Sequence, residues 1–224
     1  MPEFNSMHER SQQATRGTMT RMTYAQALNL ALREEMRRDQ RVMVMGEDVA
    51  VFGGIFGVTK GLIDEFGPSR VRDTPLSETA IIGSGVGAAV TGLVRPVCDL
   101  MLADFSGVCH DEIYNKAGKW LYMHGDVMPV PLVIRMPIGI RGGGGSEHSQ
   151  CVEALFMHGP GLKMVAPSTP SDARGLLKSA IRDDNPVLFF EHKKLYLVED
   201  EVPEEETLTP IGTAAIRRQG KDVS

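Results

Sequence analysis

Several features that would assign this chain to a familiar class are scarce or missing. Its three cysteines, Cys98, Cys109 and Cys151, are odd in number and include no closely spaced pair, which argues against a disulfide framework or a cysteine zinc site and for free thiols in a reducing compartment. No apolar run approaches the roughly 20 residues of a membrane span, and the N-terminal segment lacks the apolar stretch of a secretion signal. A cytoplasmic protein is the expectation. Positive charge is also short: 24 Lys and Arg stand against 29 Asp and Glu, a net charge of -5, with no dense basic stripe. Nucleic acid and anionic membrane are therefore not expected as partners. There is no internal repeat and no G-x-x-x-x-G-K-[ST] phosphate loop.

What is present is the composition of a globular domain, 42% hydrophobic and 24% charged, in a chain long enough to bury one full core. Residues 1–21 are polar and aperiodic, with Pro2-Glu3-Phe4-Asn5-Ser6 resembling a cloning scar, and are expected to form a disordered tail. From residue 22 to 198, apolar runs alternate with helical periodicity. Thr23-Tyr24-Ala25-Gln26 reads as a capping box opening a helix to Arg38, and Val42–Met45 is an apolar strand ending at Gly46-Glu47-Asp48. A helix over Thr59–Phe66, a strand at Val71-Arg72, a helix over Ser77–Thr91 and a strand over Pro96–Leu102 follow. Helix Val108–His124, strand Leu132–Met136, helix Gln150–His158, strand Leu162–Ala166, a helix capped by Ser168-Thr169-Pro170 and strand Val187–Glu191 complete the set. This order predicts an α/β fold with a doubly wound, mainly parallel sheet flanked by helices. Residues 199–224 open with an acidic, proline-bearing run expected to cross the surface as a linker. Thr213–Ile216 suggests one more strand, the start of a truncated C-terminal domain.

Glu78 is the first candidate for chemistry. It opens a helix directly after a strand, at the carboxyl edge where open α/β sheets bind ligands; on spacing alone, a first-turn glutamate favouring the helix dipole is the commoner explanation. Arg141-Gly142-Gly143-Gly144-Gly145-Ser146 has the flexibility of a lid or channel wall, with His148 at its foot. That histidine could relay protons near pH 7, though alone it is more often a loop-anchoring hydrogen bonder. Gly83, Gly85 and Gly87 cost the Glu78 helix roughly 1 kcal/mol each relative to alanine, so another helix or a ligand must approach closely. Asp104-Phe105 would bring an aromatic ring to the same edge.

The ordered strings Gly46-Glu47-Asp48-Val49, Phe52-Gly53-Gly54, Asp73-Thr74-Pro75-Leu76-Ser77-Glu78, Arg95-Pro96, His148-Ser149-Gln150, Pro160-Gly161-Leu162-Lys163 and Ile181–Pro186 resemble the beta subunit of the thiamine-diphosphate-dependent first component of 2-oxo acid dehydrogenase complexes. The resemblance covers about two thirds of the chain, from Gly46 to Glu191. It implies that Glu78 bonds a ring nitrogen of the cofactor's aminopyrimidine as a proton-sharing carboxylate, and that Phe105 stacks on that ring. It also implies that Leu76 and Met101 line the pocket, that Glu47 adds a second carboxylate, and that His148 faces the active-site channel, aiding protonation or acyl transfer. A structural potassium ion is implied at Ala180, Asp183 and Asn185, where oxygen ligands on a turn suit a hard cation.

Two departures qualify the implication. The family's diphosphate-and-magnesium motif, Gly-Asp-Gly with a later Asn, is absent, the nearest string being Gly125-Asp126-Val127. An alpha subunit is then expected to hold magnesium and the diphosphate, in an alpha2beta2 assembly that also contains beta–beta contacts and meets a lipoyl acyltransferase core. The expected C-terminal domain is missing too, so the chain is expected to be inactive alone. Pyruvate is the first substrate expectation. Gly107, Asp111, Tyr122-Met123 and His192 also resemble acetoin-cleaving members, and branched-chain 2-oxo acids are a further alternative. Single-chain thiamine enzymes would contain the diphosphate motif, and a non-catalytic binder on the same fold would be indifferent to Glu78→Gln.

Overall fold

In the computed structural model, which describes residues 18–213 and 220–221, the alternation of apolar runs and helices becomes one parallel sheet. The elements are β1 (Met19–Thr23), α1 (Tyr24–Arg38), β2 (Val42–Gly46), α2 (Leu62–Phe66), β3 (Val71–Asp73), α3 (Glu78–Val90), β4 (Arg95–Asp99), α4 (Gly118–Met123), β5 (Val133–Ile138), α5 (Glu153–Phe156), β6 (Lys163–Val165), α6 (Pro170–Arg182), β7 (Val187–His192) and β8 (Glu199–Pro203). Six strands pair in the order β3-β2-β4-β5-β7-β6, each pair parallel. This is the expected doubly wound fold.

Strand residues divide between two cores because successive side chains point to opposite faces. Val42, Val44, Val97, Val133, Val187 and Phe189 pack with α1 and α6 on one face. Met45, Cys98, Ile134, Leu188 and Phe190 pack with α3 on the other. The capping box forms as expected: Gln26 N–H donates to Thr23 Oγ1 at 3.1 Å, and Thr23 N–H to Gln26 Oε1 at 2.8 Å. Glu34 on α1 receives Arg174 and Lys178 of α6 at 2.5 and 2.8 Å, registering these two helices against each other.

The chain leaves β2 for β3 on one side and returns to β4 on the other, so the topological switch point lies between the carboxyl ends of β2 and β4, where such sheets form their crevice. Gly46 ends β2 there; a Cβ would sit 2.6 Å from the Asp99 carbonyl oxygen at the end of β4. Only glycine lets the two strand ends approach so closely.

Several expected boundaries move. The helix expected from Thr59 begins at Leu62 because Gly61 adopts φ 72 just before it. Strand β4 stops at Asp99, since Met101 turns the chain at φ 58. The helix expected over Val108–His124 passes through a π-helical turn, Glu112–Ala117, before α4, and α5 is a single turn. The acidic run does not simply cross the surface: Glu199–Pro203 pairs antiparallel with Met19–Thr23, so residues 19–21 belong to a strand rather than to the expected tail. The rest of that tail, 1–17, and most of the strand expected over Thr213–Ile216 lie outside the described residues. Among the described residues, no helix is long and apolar enough to cross a membrane.

Candidate functional site

Three strand ends meet at the switch point, and each supplies a candidate residue. Glu47 follows β2, Glu78 opens α3 after β3, and Met101 follows β4. Both carboxylates are buried, at 8% and 7% exposure. Burial pushes the Glu47 carboxyl above its usual range, the negative charge of Glu78 adds to this, and a hydrogen bond from the Ser77 backbone opposes it. Glu47 Oε1 is buried with no hydrogen-bond partner. The unpartnered Glu47 oxygen, with the Glu78 carboxylate beside it, can accept from a bound group that offers hydrogen-bond donors.

Beside Glu47 lies a cavity of about 10 Å³ bounded by Phe56, Asp99, Met101 and Arg135, room for about one water. Met101 is held in its left-handed turn by Asp99, whose Oδ1 accepts the Met101 N–H at 2.9 Å. Such a conformation costs a non-glycine residue roughly 1–2 kcal/mol. The turn leads into a 3-10 segment, Ala103–Gly107, that carries the half-buried Phe105 ring. Thr79 in the first turn of α3 donates to the Val108 carbonyl at 3.0 Å, joining the Glu78 helix end to the Phe105 turn. Cys109 fills the space between; burial, then the charges of Glu112 and Glu78, push its thiol up to about 12, so it stays neutral.

His148 is exposed in a short 3-10 turn, Ser146–His148, at the foot of the glycine loop. Its ring stands edge-on to Phe105, centroids 5.6 Å apart. The structure thus brings Glu47, Glu78 and Met101 together at the crevice and sets Phe105 and His148 beside it. It does not do so for Leu76, which is 82% exposed on the approach to α3.

Ala180, Asp183 and Asn185 lie together where α6 ends, but Asp183 is already engaged. Its Oδ2 accepts from Lys163 Nζ at 2.5 Å and its Oδ1 accepts both Asn185 N–H and Asn185 Nδ2, at 2.9 and 3.1 Å. Arg95 donates to the Asp183 carbonyl at 2.7 Å. Both Asp183 side-chain oxygens thus accept hydrogen bonds, and Lys163 and Arg95 place positive charge beside the turn. No metal-binding cluster of His, Cys, Asp or Glu occurs among the described residues.

Sequence reasoning passed over a buried network under the crevice. Arg135, 1% exposed, donates to Asp99 Oδ2 at 2.6 Å and grips Glu191 at 2.7 and 2.8 Å. Glu191 also accepts the Tyr196 hydroxyl at 2.7 Å, and the Tyr196 ring stacks on Phe56 at 4.4 Å. The signal was available: three charged residues interrupt otherwise apolar strands, which is costly unless they are paired.

Residues 20–198 match the family described as the pyrimidine binding domain of transketolase. The chain is 49% identical over 207 residues to the 2-oxoisovalerate dehydrogenase subunit beta of Bacillus subtilis, covering 92% of this chain and 63% of that protein. It is 49% identical to the acetoin:2,6-dichlorophenolindophenol oxidoreductase subunit beta of Cupriavidus necator, covering 88% and 61%, and 49% identical to the pyruvate dehydrogenase E1 component subunit beta of Rhizobium meliloti, covering 92% and 45%. The chain therefore spans less than two thirds of the length of these relatives. A solved structure described as a split gene transketolase, inactive beta4 tetramer, superposes with a TM-score of 0.61 at 19% identity over 77% of this chain and 52% of that one, a likeness of fold alone.

Proposed function

This chain belongs to the transketolase pyrimidine-binding domain family, and on that footing we propose that it is the pyrimidine-binding part of the beta subunit of a thiamine-diphosphate-dependent 2-oxo acid dehydrogenase first component, with pyruvate as substrate. The observation that carries the reading is the buried pair Glu47 and Glu78 at the switch point, one oxygen of which lacks any partner. An aminopyrimidine, with a ring nitrogen and an exocyclic amine, answers that acceptor surplus.

Glu78 would hold a proton at the ring nitrogen of the bound cofactor, and Glu47, whose carboxyl is pushed up by burial and by Glu78, would add a second carboxylate beside it. Phe105 would cover the pyrimidine face and Met101 would close the pocket wall, excluding water. His148, exposed at the mouth, would hold or move a proton at its ring during protonation or acyl transfer. Thiamine diphosphate, when bound, would supply a carbon nucleophile for a 2-oxo substrate. The diphosphate and magnesium fall to an alpha subunit, since this chain contains no Gly-Asp-Gly motif. Acetoin cleavage is the second reading, favoured by the similarity to the Cupriavidus necator protein, and branched-chain 2-oxo acids the third, favoured by the Bacillus subtilis one.

The test is deuterium exchange at the thiazolium carbon after assembly with an alpha subunit bearing the diphosphate motif. Glu78→Gln is expected to slow exchange by about a hundredfold or more. Undiminished exchange in that variant removes the proposal, and relative rates with pyruvate, branched 2-oxo acids and acetoin assign the substrate.

A further inference from the structure

Asp104 and Lys193 stand outside the roles given so far. Their side chains are 2% and 3% exposed, and they come from distant segments, the turn after β4 and the turn after β7. Both direct their polar atoms at the same place, the foot of the glycine loop. Asp104 Oδ1 accepts the N–H groups of Ser149 and Gln150, each at 3.0 Å. Lys193 Nζ donates to the His148 carbonyl at 2.7 Å. The two charges lie 3.8 Å apart without a hydrogen bond between them, and Asp104 Oδ2 has no hydrogen-bond partner.

This is an unusual use of buried charge. A buried ion pair can often be replaced by apolar side chains at no loss of stability, so stability alone does not account for this pair, and its geometry does. Three successive residues, His148, Ser149 and Gln150, are gripped through their backbone. Immediately before them, Gly142, Gly143 and Gly145 all have positive φ, where the chain is freest. Loop mobility must therefore end at His148, whose ring faces Phe105, the neighbour of Asp104 in sequence.

The geometry points to Asp104 and Lys193 as positioning residues: a buried clamp that holds His148 against Phe105 while the glycine loop stays free to move. The clamp is a property of this chain, and only its catalytic consequence rests on the reading of His148 as a channel residue.

Two measurements on the full chain test the clamp. Trypsin cleavage after Arg141, in the exposed loop, is expected to be about tenfold faster in Lys193→Met and Asp104→Ala, because the loop opens locally at lower cost. Asp104→Asn, which keeps a carbonyl acceptor, should cleave close to the wild-type rate. Cleavage of folded Lys193→Met and Asp104→Ala at the wild-type rate overturns the clamp. Should neither variant fold, amide hydrogen exchange in the wild type decides: Ser149 and Gln150 must exchange more slowly than the glycines before them, and equal exchange overturns it. In the assembled component, Lys193→Met is expected to lower kcat for acyl transfer about tenfold with the KM for thiamine diphosphate unchanged. An unchanged kcat overturns the positioning role. If the wild-type assembly binds no thiamine diphosphate, the proposed function fails, whereas the proteolysis result stands by itself.

Discussion

Asp99 and Arg135 meet at 2.6 Å on the adjacent strands β4 and β5, and the same carboxylate holds the Met101 N–H through its other oxygen. One aspartate thereby couples the buried charge network beneath the sheet edge to the backbone turn at the crevice. Replacing Arg135 by Met should leave Asp99 and Glu191 buried without a counter-charge and cost about 3–5 kcal/mol. Urea unfolding measures this, and a loss below about 1 kcal/mol, the range of a surface pair, would mean that water reaches the network.

Glu47 gives a pH dependence of defined sign. Its folded carboxyl titrates above its ordinary value, chiefly through burial and then through Glu78, so the folded state binds more protons than the unfolded state between the two values. The contribution is fully present below the ordinary carboxyl value of 4.5 and is lost as pH rises through the raised folded value. Glu47→Gln should therefore become more stable relative to wild type as pH increases across that window. Melting curves collected through it would show parallel profiles if Glu47 were unperturbed.

Two glycines of α3 should respond oppositely to alanine. A Cβ on Gly85 would lie 2.5 Å from Cys98 Sγ and 3.3 Å from Leu132, an overpacking expected to cost about 1–3 kcal/mol. A Cβ on Gly87 meets nothing within 4 Å, and Gly87→Ala should stabilise the isolated chain by about 1 kcal/mol. If Gly87→Ala nevertheless impairs assembly with the alpha subunit, that bare face of α3 is where the partner packs.

Leu76→Ala removes a side chain that is 82% exposed and should shift the stability of the isolated chain by no more than about 0.5 kcal/mol. A contribution of Leu76 to the cofactor pocket requires a neighbouring subunit. A raised KM for thiamine diphosphate in the assembled variant is the expected sign of it, and an unchanged KM removes Leu76 from the site.

Much of this arrangement was legible in the residue order because it is local. The Thr23–Gln26 box, the Thr169 cap on α6 and the glutamate opening α3 are contained in short windows; Glu47 and His148 lie in the resemblance strings, whereas Met101 and Phe105 were implied only by the resemblance itself. The buried charges were not legible in the same way. Arg135 is 36 residues from Asp99 and 56 from Glu191, and only the β4-β5-β7 register brings them level. Asp104 and Lys193 likewise meet through two turns on neighbouring parts of the sheet edge. The acidic run misled for a related reason: charge predicts exposure, and β8 is mostly exposed, but exposure does not prevent a strand from pairing when a partner lies alongside.

The β1–β8 ribbon has a mechanical corollary. Met19 is paired with Pro203 and Thr23 with Glu199, so whatever is joined before β1 and after β8 leaves from one end. Tension applied through those two attachments would peel the strands apart a rung at a time, starting at Met19–Pro203, instead of shearing all the rungs together. The ribbon should yield at low force and spare the six-stranded sheet, making it the natural fuse between this domain and anything tethered to it.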